Sequence, residues 1–384
     1  MGAWYSFNDQ MNELFGGKVY RLSLSSGCTC PNRDGTLSKG GCIFCSEGGS
    51  GDFAEPFAEE IFSQIEAAKQ QISGKIRNKS SFAGYMAYFQ SFTNTYGDQE
   101  RLKALFKRAA EHPEIKALSI GTRPDCLSDE MLEALAVINE SKPVFIELGL
   151  QTIHEDTAEY INRCYKLSVF EDAFRRLKRA GLRVVVHVII GLPGESKAMT
   201  KETVRYLSEL EFDKKDALRN PDKFDEDEVP DAAMPDSEIK EISKAGCKKI
   251  DGIKLQLMHV LENTKLADLL PEYDTDRASI EPDVNRYGLR IRHFDEIGGL
   301  DALKYGRGFT ESEHGIVLKD GVLLPQYTLS EYASFIRELV DILPKETAVH
   351  RLTGDAPKKL LILPQWTADK KRVLNTIKAE FDKN

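Results

Sequence analysis

No stretch of eighteen consecutive apolar residues occurs in this 384-residue chain, so no segment reads as a transmembrane helix. The opening residues, MGAWYSFNDQMNELFGG, carry neither a basic n-region nor an apolar core, so no secretory signal is expected and a cytoplasmic protein is. A positive excess is missing too: 52 Lys and Arg stand against 61 Asp and Glu, for a net charge of −9. A protein that coats nucleic acid without selectivity has the opposite balance, so any such contact needs a local basic patch. Two candidates are RRLKRAGLR at 175–183 and the run from His350 to Arg372. Each also reads as a solvated helix face. Cysteine is sparse away from one place. Cys126, Cys164 and Cys247 are scattered, which argues against a disulfide framework and, in a reducing cytoplasm, for metal binding by the rest.

With 41% hydrophobic and 29% charged residues, the composition is that of a globular protein. Its length suits one large α/β domain or two smaller ones. Short β-branched runs at 19–25, 85–90, 117–123, 144–151, 184–191 and 252–259 alternate with helical patterns near 55–73, 98–111, 128–140, 168–181 and 198–211. The strands are mostly continuous apolar runs, as in a parallel sheet covered on both faces. Six strand–helix units imply right-handed crossovers, in an open doubly wound sheet or a partial barrel. In both, active sites gather at the C-terminal strand ends, where the cysteine loop, QSFTNTY, TRPD, Gln151 and GLPGE all fall. Ser128 is an N-cap candidate for the 128–140 helix, with Asp129 and Glu130 in its first turn.

Three regions are expected. Residues 1–270 form the core, with a charged, Pro-containing loop insertion at about 213–238. Residues 271–325 form a second insertion, in which Asp320-Gly321 signals a type I′ hairpin. Residues 326–384 form a C-terminal α/β extension with a helix at 329–343, a strand at 348–353 and a helix at 367–381.

Four of the seven cysteines lie between positions 28 and 45, in CTCPNRDGTLSKGGCIFC. Glycines 35, 40 and 41 let this loop fold back on itself. Four thiolates could hold a structural zinc, and three could hold an iron–sulfur cluster with one iron left open. The spacing alone leaves both open. A zinc knuckle is a self-contained module, whereas this loop follows the first strand of a six-unit α/β domain.

Several stretches together resemble the radical S-adenosylmethionine (SAM) enzymes. They are CPNRDGTLSKGGCIFCSEGGSGDFA (30–54), YFQSFTNTY (88–96), LSIGTRPDCL (118–127), ELGLQTIHEDT (147–157) with INR (161–163), HVIIGLPGE (187–195), DGIKLQLMHVLENTKLADL (251–269) and HRLTGDAPKKLLILPQW (350–366). Within that superfamily the chain is similar to the group related to the Elongator catalytic subunit, and more closely to the YhcC/YtqA-like bacterial proteins.

The resemblance implies a partial parallel (β/α)6 barrel of radical SAM type. It implies a [4Fe–4S] cluster on Cys30, Cys42 and Cys45, with Cys28 where relatives carry another residue. SAM would bind the open iron and be cleaved to a 5′-deoxyadenosyl radical, on electrons from a donor such as flavodoxin or ferredoxin. Phe44 would pack near the adenine and GLPGE, with Gly191 and Pro193, would help build its pocket. Gln90, Thr93 and Asn94 follow the second strand, where relatives bind the SAM amino group, though QSFTNT departs from the usual Gly-Gly-Glu type there. Thr122, Arg123 and Asp125 would face the substrate or SAM, and Arg163 would take the SAM carboxylate. Cys164 and Tyr165 depart from the relatives' small residue and imidazole.

The residues themselves add that Glu147 and Gln151, four apart on one strand, should face one side. A carboxylate there is costly unless partnered, which reads as a ligand for SAM or as an internal salt bridge. The Elongator relationship implies modification of a tRNA wobble uridine at its C5 side chain, although no acetyltransferase domain is visible. The acidic charge favours a small-molecule substrate instead. A zinc-stabilised RNA-binding module without catalysis is the alternative from another class.

Overall fold

The computed structural model describes residues 4–49, 52–76, 79–211, 249–272, 289–293, 309–310 and 312–383. The charged insertion expected at 213–238 lies outside them, as does much of 271–325.

Six strands alternate with helices: β1 (Lys18–Leu24), β2 (Phe82–Phe89), β3 (Ile115–Thr122), β4 (Val144–Gln151), β5 (Arg183–Ile190) and β6 (Gly252–Leu257). They pair in sequence order and all run parallel. A parallel pair cannot be closed by a tight turn, so each crossover carries a helix. Helix α1 (Phe7–Phe15) precedes β1. The crossovers hold α2 (Ile61–Ile72), α3 (Gln99–Glu111), α4 (Asp129–Ser141), α5 (Glu155–Tyr160) with α6 (Leu167–Arg179), and α7 (Lys197–Glu209). As expected, Ser128 caps α4 by accepting from the Met131 amide at 3.2 Å. The outer face of the sheet meets these helices in one core that includes Phe89, Phe106, Ile146, Phe174 and Val186, all fully buried.

The sheet has seven strands, not six. Ala348–Arg351, from the C-terminal region, runs parallel to β6 through the pairs Ala348–Gly252 and Val349–Ile253. Its Val349 amide also donates to the Tyr5 carbonyl at 2.8 Å. The sequence marks this segment as a strand, but pairing across about a hundred residues leaves no local signature. The result is an open, seven-stranded partial barrel.

The hairpin at Asp320-Gly321 is present, joining His314–Val317 to Leu323–Pro325. Its turn differs from the type I′ expected. Gly321 alone of the two has positive φ, at 85°. The Gly321 amide donates to the Leu318 carbonyl at 2.9 Å and the Leu318 amide to the Val322 carbonyl at 2.8 Å. This is a three-residue loop with a glycine bulge.

Candidate functional site

The cysteine loop leaves the end of β1 and is closed by its own backbone and two asparagines. Gly40 and Gly41 have φ of 86° and 83°, a left-handed pair that other residues resist. They turn the chain so that the Gly41 amide donates to the Asn32 carbonyl at 2.8 Å. The Asn32 amide then donates to the Asn162 carbonyl at 2.5 Å and to Cys42 Sγ at 3.5 Å. Asn162 returns a bond from its own amide to the Gly41 carbonyl at 2.9 Å. Arg33 caps the far side, donating to the Ser46 carbonyl at 2.6 Å and the Cys45 carbonyl at 3.3 Å.

Cys42 and Cys45 come together at the turn where the Cys45 amide donates to the Cys42 carbonyl. A hydrogen bond from Cys45 draws the Cys42 thiol below its ordinary value. Burial opposes this, and Arg123, Asn32 and Arg163 assist it. The same hydrogen bond, with burial, pushes the Cys45 thiol well above its ordinary value, so the two sulfurs share one proton between them. Among the described residues, Glu66, His112 and Glu114 form a trio of donors within 4.8 Å of one another, away from the cysteine loop's own thiols. Cys28 turns elsewhere, with Sγ 3.9 Å from the Asn94 carbonyl and 3.7 Å from Arg101 Nη2. Burial pushes its thiol up.

A cavity of 910 Å³ opens beside the loop, at the C-terminal ends of the strands. Phe44 and Cys45 form one wall, Gln90, Gln151, His187 and Gln256 another, and Arg351, Lys358 and Lys370 part of the rim. Of the residues singled out in the sequence, the structure therefore brings Cys45, Phe44, Gln90 and Gln151 to one space. Gln151 reaches it by a bulge. Its φ is 66°, and the pairing with β5 slips between Gly149 and Gln151, so it leaves the even alternation that would align it with Glu147.

Other expected contacts stand behind the wall. Arg163 is 1% exposed. It donates to the carbonyls of Leu150, Thr152 and Tyr165 at 2.6–3.0 Å, and it pairs with Glu155. It braces the β4 exit. Asn94 accepts from Ser26 Oγ and donates to the Phe89 and Gly121 carbonyls. Thr122 shares a 2.6 Å bond with Thr95, and the Thr93 amide donates to the Thr29 carbonyl. Gly191, at φ 80°, faces Tyr327, and a Cβ there would come within 3.1 Å of that ring. Pro193 is buried beside it, where the Gly194 amide donates to the Leu323 carbonyl. Arg123 grips Asp125 with two nitrogens and donates to the Arg163 carbonyl. Tyr165 lies under both guanidiniums, 4.9 Å from Arg123 and 4.5 Å from Arg163.

Glu147 is fully buried on the inner face. Its Oε1 accepts from Ser119 Oγ at 2.8 Å, and its Oε2 from His187 Nε2 at 2.9 Å and from Lys254 Nζ. Lys254 also donates to the Tyr88 hydroxyl at 2.8 Å. Burial alone would raise the Glu147 carboxyl, but Lys254 and the His187 hydrogen bond hold it well below the usual range. Of the two readings left open for this carboxylate, the salt bridge is what the geometry contains. Sequence reasoning missed its partners. The signal was present: His187 interrupts VVVHVIIG, and Lys254 and Gln256 interrupt GIKLQL, polar residues in otherwise apolar strands.

Residues 27–207 match the model of the radical SAM superfamily, and residues 321–383 match that of the radical SAM C-terminal domain. YtqA of Bacillus subtilis (strain 168) is 31% identical over 379 residues, covering 99% of this chain and 89% of YtqA. The chain belongs to the radical SAM superfamily. Radical SAM proteins are enzymes that use a [4Fe–4S] cluster and SAM, and this chain is one of them. YhcC of Escherichia coli (strain K12) is 34% identical over 208 residues, 54% of this radical SAM chain and 65% of YhcC. The tRNA uridine(34) acetyltransferase of Methanocaldococcus jannaschii is 31% identical over 140 residues, only 36% of this chain and 23% of that protein. No helix among the described residues is long and apolar enough to cross a membrane.

Proposed function

We propose that Cys30, Cys42 and Cys45 hold the [4Fe–4S] cluster and that the adjoining cavity brings SAM against a tRNA wobble uridine, whose C5 side chain is modified. Bound together, cluster and SAM would supply one-electron, hydrogen-abstracting chemistry toward the substrate. The chain's own residues position and shield. Phe44 offers an apolar surface beside Cys45 for a purine. Gln90 and Gln151 offer amide donors and acceptors across the same space. Arg163 and Asn94 keep the strand ends in place from behind. Electrons come from a donor such as flavodoxin or ferredoxin.

The observation that carries this reading is the meeting of the cysteine loop and the cavity under a basic rim. Arg351, Lys358 and Lys370 border the opening, where Asp355 pairs with Arg351 at 3.3 Å and with Lys370, and Lys371 and Arg372 continue along a neighbouring hollow. Cations at that rim suit the phosphates on either side of an anticodon base. The M. jannaschii relative, named for uridine 34 of tRNA, lends support over the part that matches. A net charge of −9 favours a second reading, a small-molecule substrate in the same cavity.

The test uses reconstituted protein, SAM, a reductant and tRNA from cells lacking the corresponding gene. A mass change confined to nucleoside 34 supports the tRNA reading. Turnover of SAM with every tRNA nucleoside unchanged turns it toward the small molecule.

A further inference from the structure

The cavity wall holds a glutamine whose orientation is set by buried charge. Gln256 lines the cavity, and its Nε2 lies 3.3 Å from His187 Nδ1. His187 is 21% exposed at its side chain, whereas the Glu147 and Lys254 side chains behind it are fully buried. We infer that Lys254, Glu147 and His187 form a relay that fixes which way round the Gln256 amide faces the cavity, so that the cavity takes a substrate group offering an acceptor beside a donor, as the imide edge of uracil does. The choice of uracil rests on the uridine reading above; the relay rests on the geometry alone.

Each link follows from what its groups can donate. Lys254 Nζ, which burial lowers to about 7 against the pull of Glu147, and the Ser119 hydroxyl both donate to Glu147, and an ionised carboxylate only accepts. His187 Nε2 therefore carries a hydrogen and donates it, at 2.9 Å. A neutral imidazole with Nε2 protonated has a lone pair at Nδ1. That lone pair needs a donor, so the Gln256 amide turns its NH2 toward His187. Its carbonyl and its second N–H are left to the cavity. An unconstrained glutamine could flip and read donor and acceptor in either order.

The groups facing His187 keep it neutral. Burial lowers its pKa first, then the Lys254 ammonium, with Arg351 adding to them, against the pull of Glu147; the balance holds it at about 4. Arg21 adds a charge beside Glu147, and His350, which burial lowers well below its ordinary value, stands by the pair as a neutral ring. Lys254, Glu147 and His187 are positioning residues here, and Gln256 is the one that would touch the ligand.

The experiment uses the full chain with 15N-labelled histidine, and assigns His187 by the signal lost in His187→Gln. The expected result is a neutral imidazole protonated at Nε2 from pH 5.5 to 8. An imidazolium at pH 6, or a proton on Nδ1, overturns the relay. Equilibrium dialysis with uridine and 3-methyluridine tests the ligand. Uridine should bind about tenfold tighter, because methylation removes the donor. Gln256→Leu should abolish that preference, and Glu147→Gln should weaken it. Equal binding of the two nucleosides overturns the imide assignment. Failure of both to bind rejects the uridine reading as well, while the histidine spectrum still decides on the relay.

Discussion

Asn32 donates to the carbonyl of Asn162 at 2.5 Å across 130 residues of chain. Asn162 answers with a 2.9 Å bond to the Gly41 carbonyl. The loop that carries the thiols is thereby tied to the segment that follows β4 and α5, and the Ile43 amide donates to the Ile161 carbonyl alongside. Asn32→Ala leaves the part-buried Asn162 carbonyl with only the Cys164 thiol, at 3.6 Å, and removes the amide from Cys42 Sγ. A loss of about 1–3 kcal/mol is expected, with poorer iron retention. Urea unfolding and iron content after desalting measure the two effects, and unchanged values for both would remove Asn32 from this role.

The Lys254–Glu147 pair gives a double-mutant test. Lys254→Met leaves a fully buried carboxylate with its main counter-charge gone. The expected destabilisation is about 3–5 kcal/mol. Adding Glu147→Leu should recover most of that loss, because an apolar pair of similar volume needs no compensation. If the double variant is no more stable than Lys254→Met, the two groups are not coupled as described.

Glu195 sets a pH slope of its own. Burial is the largest cause and pushes its carboxyl up to about 8 from 4.5, against hydrogen bonds from Thr152 and Thr157. The folded protein therefore holds this proton where the unfolded chain has lost it. Its favourable contribution is complete below pH 4.5 and drains away up to about pH 8, at about 1.4 kcal/mol per pH unit. Glu195→Gln should flatten the stability profile between pH 5 and 8. Glu147, held low, acts in the other direction: its contribution is present above pH 4.5 and lost as the pH falls further. Melting temperatures measured across pH 3 to 9 separate the two windows.

Much of this architecture could be read from residues close together in sequence. Apolar runs such as VVVHVIIG and cap signals such as Ser128 gave the parallel strands and their helices, because each obeys local rules of period and capping. The glycines of the cysteine loop pointed to a fold-back that Gly40 and Gly41 perform. The seventh strand was harder, since Ala348–Arg351 finds its partner in β6 only through tertiary contact. The same holds at the site. Nothing beside Arg163 in sequence announces that carbonyls of Leu150 and Thr152 will absorb its guanidinium. The alternation argument for Glu147 and Gln151 assumed a regular strand, and the bulge at Gln151 broke it.

Cys28 separates a three-thiolate site from a four-thiolate one. Because its sulfur lies against Asn94 and Arg101, Cys28→Ser should keep the same iron and sulfide content as the unaltered protein. Loss of metal in that variant, on a scale matching Cys30→Ser, would place Cys28 among the ligands.

The most direct measurement is made on protein purified without oxygen and reconstituted with iron and sulfide. Iron is counted, and 5′-deoxyadenosine is assayed after SAM and dithionite are added. About four irons per chain are expected, with nucleoside formed and both lost when Cys30, Cys42 or Cys45 is changed to Ala. Colourless protein that holds one zinc and leaves SAM intact would contradict the cluster assignment.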